Sequence, residues 1–178
     1  MSSPAGGCSG GFCELGVWTG AEDYTYGSSG LAQGGSESNI DYGYVYYSIF
    51  YEFFPSSPVT CSSIFSPVYS GDTVVSEVSS QGSSYKVYVY DYSTGAVCNV
   101  TKNTTMSNAQ YSLYVAEVPG GNTLPKFGSF TVYNAMTNYY PIYDYSPYET
   151  VTMNNVYLGP VQFSSSLLAY FTETYTGS

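Results

Sequence analysis

A chain of 178 residues with no histidine, no arginine and only three lysines, Lys86, Lys102 and Lys126, against thirteen carboxylates is barred from most familiar chemistry. Nucleophiles relayed through imidazole, most zinc sites, and phosphoryl-transfer or nucleic-acid sites built on Arg and Lys clusters are excluded, which leaves carboxyl, carboxamide, hydroxyl and thiol groups. The formal charge is −10 at pH 7, and protonating the carboxyls leaves only the lysines and the amino terminus charged, so acid brings little self-repulsion.

Low charge with 23 tyrosines and 19 glycines fits acid adaptation, and equally fits secreted β-proteins or filament subunits. The length suits one domain, and apolar residues at 43% exclude intrinsic disorder. Residues 1–16 are Gly/Ser-rich and read as an arm, with a single β-sandwich domain over 17–178. Met1 to Phe12 lacks the basic-then-apolar pattern of a signal peptide, as expected of a mature form.

Period-two spacing then dominates, and no segment carries a helical stripe. Tyr42 to Phe54 reads as a central strand, followed by strands at Thr73 to Val78, Tyr85 to Tyr92, Ala96 to Thr101 and Gln110 to Val118. Three more are expected at Ser129 to Tyr133, Thr150 to Leu158 and Ser166 to Tyr175. Asp91 to Gly95 reads as a hairpin turn, and Ser70-Gly71-Asp72 and Pro119-Gly120-Gly121 mark others. Short strands at regular spacing predict an all-β fold, an antiparallel sandwich of two large sheets.

Cys8, Cys13, Cys61 and Cys98 form an even set with no CxxC pair, which predicts two disulfides in an oxidising compartment. Cys8–Cys13 with Cys61–Cys98 is one of three connectivities. Asn99 and Asn103 open glycosylation sequons, as suits a secreted, extracellular chain. No run is long enough to cross a membrane as a helix.

Four motifs occur in order: Val17-Trp18-Thr19-Gly20, Gln33-Gly34-Gly35, Tyr51-Glu52-Phe53-Phe54-Pro55 and Ser70-Gly71-Asp72. Val115-Ala116-Glu117-Val118-Pro119 and Phe127-Gly128-Ser129-Phe130 follow. Over roughly residues 16 to 135 this order resembles the glutamic peptidases, or eqolisins, secreted endopeptidases that act in acid. The resemblance implies a sandwich of two large antiparallel sheets with a catalytic glutamine and glutamate on a concave face, and a polypeptide substrate. Gln33 matches the glutamine, Glu37 stands where the family often has an aspartate, and Glu52 matches the glutamate of the Tyr-Glu strand. A later family strand carries two glutamates four residues apart, and alignment sets Leu113 at the first and Glu117 at the second. A second alignment sets Gln110 at the first. Strands that precede the Trp-Val-Gly segment in the family have no counterpart in this sequence.

On this reading Gln33 and Glu117 are the catalytic pair, with Trp18, Glu37, Tyr51 and Glu52 binding substrate or supporting them. The carboxylate takes a proton from the attacking water, and the carboxamide, which does not titrate, donates to the oxyanion. No metal or cofactor is needed. The alternative is a non-catalytic extracellular subunit that assembles into homo-oligomers or a filament through strand edges, because an open edge invites a neighbour's strand.

Overall fold

The computed structural model describes residues 11–25, 28–104, 106, 109, 111–118, 129–138, 140–141 and 171–174. The chain divides into two compact units, Gly7–Pro125 and, for the most part, Lys126–Ser178. Among the described residues every regular element is a strand, and all pairings between strands are antiparallel.

The first unit contains β1 (Phe12–Thr25), β2 (Ser28–Asp41), β3 (Tyr44–Phe54), β4 (Val59–Thr60), β5 (Val74–Gln81), β6 (Ser84–Asp91), β7 (Val97–Asn103) and β8 (Tyr111–Glu117). They form a five-stranded sheet in the order β4-β3-β2-β1-β8 and a three-stranded sheet in the order β5-β6-β7. The second unit holds the pairs β9 (Ser129–Val132) with β12 (Phe171–Thr174) and β10 (Met136–Thr137) with β11 (Tyr140–Pro141). The strand expected over Thr150 to Leu158 lies outside the described residues.

Two long strands were not anticipated. Residues 12–16, assigned to the arm, begin β1, and the Gly- and Ser-rich stretch that carries Gln33 is β2, at the centre of the larger sheet. Local propensity argues against a strand there, since Gly, Asn and Asp are depleted in strands. Tertiary pairing overrides it: β2 is hydrogen-bonded to β1 along its whole length and to β3 from Leu31 to Asp41. The β2–β3 hairpin closes on Tyr42 and Gly43, both with positive φ (44° and 88°), so the first two residues of the strand expected from Tyr42 form the turn. A two-residue turn of this hand matches the natural twist of the flanking strands.

Alternation decides which side chains meet between the sheets. Ala32, Ile49 and Phe53 of the larger sheet pack on Tyr85, Val87, Val89 and Cys98 of the smaller. Along β6 burial alternates strictly, with Tyr85, Val87, Val89 and Asp91 inside. Asp91 is the polar member of that series and works as a turn anchor. It accepts hydrogen bonds from the Ser93 amide (2.8 Å) and the Thr94 hydroxyl (3.0 Å), and Gly95 follows with φ 79°, as the hairpin motif predicts. At the other side of the interface, Ser76 of β5 donates to the Gly34 carbonyl at 2.6 Å and lies 3.1 Å from the Thr19 hydroxyl, so a polar link also ties the sheets.

One disulfide joins Cys61, just after β4, to Cys98 of β7, a pairing found in one of the three connectivities open to the sequence, and it crosses from one sheet to the other. Cys13 is also disulfide-bonded, and Cys8, its expected partner, lies outside the described residues. Asn99 and Asn103 are both exposed on β7.

The sheets meet closely at Gly34, where an added Cβ would stand 2.5 Å from Val87 Cγ1 and 2.7 Å from Val89 Cγ2. Overfilling such a core costs about 1–3 kcal/mol. Gly34→Ala should therefore lower the urea midpoint by an equivalent amount while leaving the strand spectrum in circular dichroism unchanged. An unaltered midpoint would mean that the sheets are not in this contact.

Candidate active site on the outer face of the five-stranded sheet

The same alternation that sends Ala32, Gly34, Ile49 and Phe53 inward sends Gln33, Gly35, Glu37 and Asn39 of β2 to the opposite face. The register aligns this face into rows. Glu52 of β3, Gln33 of β2, Gly20 of β1 and Leu113 of β8 form one row. Ser48, Glu37, Gly16 and Glu117 form another, four residues further along each strand. Between them lie Phe50, Gly35, Trp18 and Val115.

Gln33 and Glu52 are direct cross-strand neighbours, and the Gln33 carboxamide donates a hydrogen bond from Nε2 to Glu52 Oε2. Gln33 is buried and its Oε1 makes no hydrogen bond to the protein. The space over Gly20 beside it is taken by Trp18: an added Cβ there would stand 2.9 Å from Trp18 Cζ3, so the indole ring overlies Gly20 in the row of Gln33.

Glu37 is buried, and its Oε2 accepts a hydrogen bond of 2.9 Å from Ser48 Oγ in the same row. Burial raises its pKa; the Ser48 hydroxyl offsets part of that, and the nearby charges of Glu14 and Glu52 add to the rise. Glu117 behaves alike. Desolvation raises its pKa first, the buried indole N–H of Trp18 lowers it without completing a full hydrogen bond, and Glu52 and Glu14 raise it further. Four carboxyls thus sense one another across this face.

The expected residues do not all converge. Gln33, Trp18, Glu37, Glu52 and Glu117 share the face, but Gln33 and Glu117 stand in different rows, and four residues along a strand is about 13 Å. The β8 position in the row of Gln33 is Leu113. Tyr51 points the other way, into the intersheet core, with its ring 6.1 Å from that of Phe53 and 5.6 Å from the Lys102 ammonium. Glu14, Asn39 and the pairing role of Ser48 were missed. Alternation from Gln33 to Glu37 and Asn39 was available as a signal, but it was unusable without recognising β1 and β2 as strands.

The Peptidase A4 family matches residues 1–156, most of the chain. This protein belongs to that family. Its fold is similar to that of aspergilloglutamic peptidase from Aspergillus niger, with a TM-score of 0.70 at 20% identity over 92% of this chain and 99% of that one. It is also similar to scytalido-glutamic peptidase solved with a transition state analog inhibitor, with a TM-score of 0.69 at 16% identity over 99% of this chain and 88% of that one. Curated protein sequences give no match.

In this A4-family chain the two raised carboxyls contribute a definite sign to the pH dependence of stability. Glu37 and Glu117 hold their protons more tightly folded than unfolded. The folded state is therefore favoured below the ordinary glutamate value of 4.5, and that advantage is lost as pH rises from there through the raised folded values. Thermal unfolding followed from acid to neutral pH should show Tm falling across this window. Glu37→Gln should flatten the fall, and a Tm that climbs over the same window would contradict the assignment.

Proposed function

We propose that the protein is a secreted, acid-acting glutamic-type endopeptidase in which Gln33 and Glu52 are the working pair. The observation that carries this reading is the hydrogen bond between the Gln33 carboxamide and Glu52. In the reaction Glu52 takes a proton from water as the water oxygen bonds to the peptide carbonyl carbon. The second N–H of Gln33 Nε2 donates to the oxyanion, and Gln33 Oε1, an acceptor with no protein partner, receives the water's remaining hydrogen. Collapse breaks the C–N bond, and Glu52 returns its proton to the leaving amine. No metal or cofactor enters these steps.

Glu117, the acid named by the motif alignment, is the weaker choice because about 13 Å of strand separates its row from that of Gln33. Together with Glu37 it keeps the face partly protonated in mild acid, since both pKa values are raised. Secretion is supported by the Cys61–Cys98 disulfide, which suits an oxidising compartment, and by the exposed Asn99 and Asn103, which a glycosyltransferase could reach.

One observation favours a second reading, a non-catalytic extracellular relative: apolar Leu113 occupies the β8 position in the row of Gln33. Such a subunit would assemble through strand edges. The two readings part in one assay. An unfolded protein substrate at acidic pH should be cleaved in the presence of chelators and serine-reactive reagents. Removing a general base or an oxyanion donor typically costs 10²-fold or more, so Glu52→Gln and Gln33→Ala should each lose about that much activity, and Glu117→Gln much less. Loss in Glu117→Gln with full activity in Glu52→Gln would transfer the acid role to Glu117. A folded wild-type chain inert at every acidic pH would favour the non-catalytic reading.

A further inference from the structure

Donors and acceptors on the outer face of the five-stranded sheet do not balance. Alternation places Glu14 and Glu22 of β1, Glu37 and Asp41 of β2, Glu52 of β3 and Glu117 of β8 on it. No strand position of this face carries a lysine; Lys86 and Lys102 lie on β6 and β7 of the other sheet. Two buried carbonyl oxygens on the same face, Gln33 Oε1 and Asn39 Oδ1, make no hydrogen bond. Both lie among the acids, Gln33 bonded to Glu52 and Asn39 directly opposite Glu14. Against this surplus of acceptors stands one unsatisfied buried donor on the face, the Trp18 indole N–H.

A buried acceptor without a partner is destabilising, and a ligand bearing N–H groups would relieve that. The acids do not form a metal cage: among the described residues no three potential ligands converge on one point. They are spread instead over four strands, and Glu14, Glu52 and Glu117 are only half-buried, so solvent reaches the acidic face. Dispersed negative charge above buried acceptors suits an extended ligand with several cationic, donor-rich groups.

We propose that this face selects polypeptide segments carrying lysine or arginine side chains. The polypeptide nature of the ligand rests on the peptidase reading above; the cationic preference rests on the acceptor surplus. A substrate lysine or arginine would sit against the carboxylates while backbone or side-chain N–H groups reach Gln33 Oε1 and Asn39 Oδ1.

The test uses the full chain and two peptides identical except for lysine in one and norleucine in the other. Binding is followed by fluorescence anisotropy above the ordinary glutamate pKa of 4.5, and cleavage by mass spectrometry in acid. The lysine peptide should bind at least roughly tenfold more tightly at low ionic strength, with the ratio shrinking as salt screens the charges. The double variant Glu14→Gln, Asp41→Asn, checked for folding by circular dichroism, should reduce the ratio at least roughly threefold. Equal binding of the two peptides, or none of either, overturns the preference, and their cleavage would then leave the peptidase reading intact. Lysine-selective binding without cleavage of either peptide supports the preference and overturns the catalytic reading. A salt-independent ratio, or one unchanged in the double variant, overturns the electrostatic assignment.

Discussion

The contact of β2 with β6 at Gly34 sets the terms for the rest of the first unit. A central strand buried on both faces would ordinarily be built from Val and Ile, but the inward face of β2 has no room for them where Val87 and Val89 press against Gly34. Small residues solve the packing and forfeit the β-propensity that large side chains would bring. The strand persists because hydrogen bonding on both edges, to β1 and β3, holds a backbone that local preference would leave irregular. With the inner face this close, only small polar side chains such as Ser36 and Ser38 fit on it, and the longer polar side chains of β2 project outward. Gln33, Glu37 and Asn39 follow from that division, as does their burial in a face whose neighbours include Trp18 and Phe50.

Burial on that face has an electrostatic consequence. Carboxyls withdrawn from water and set near other carboxyls resist ionising, and Glu37 and Glu117 both show it. No lysine on the face offsets the repulsion, so in this sheet protonation is the route to relief. A chain with thirteen carboxylates and three lysines accordingly has its least strained electrostatics in acid, which joins the composition to the chemistry of the face. Two donors on the face are committed to acids: Ser48 to Glu37 at 2.9 Å, and the carboxamide of Gln33 to Glu52.

The all-β fold was legible because strands such as β6 alternate without interruption, and the turn at Asp91 to Gly95 carries its own chemistry in the side chain of Asp91 and the φ of Gly95. The Cys61 and Cys98 pairing was legible only as one of three connectivities; two sheets facing each other select it. β1 and β2 were not legible. Their residues are those that turns and flexible arms also use, and what makes them strands is a pairing partner far along the chain. The candidate site suffered from the same blindness. Motif order picked out Gln33, Glu37, Glu52 and Glu117 one at a time, but which of them meet depends on register, and register is a property of strand pairs. Tyr51 shows the cost most plainly, since its neighbour Glu52 was assigned to a strand face while Tyr51 itself was counted toward the site from the opposite one.

Register also narrows the chemistry open to this sheet. In a pleated sheet a side chain reaches its cross-strand neighbour easily and a residue four positions along poorly, because the first separation is about 5 Å and the second about 13 Å. Gln33 has two cross-strand neighbours, Glu52 on one side and Gly20 on the other, with Leu113 beyond. The side through Gly20 is filled by the Trp18 ring and ends on an apolar side chain. The side through Glu52 ends on a carboxylate already held by the carboxamide. On the reading proposed above, a glutamine–glutamate mechanism on this face runs through β3 rather than β8, with Leu113 the apolar residue across from Gly20. If β8 is instead required for chemistry, Leu113 leaves a face that binds without cutting. The choice turns on one side chain of β3.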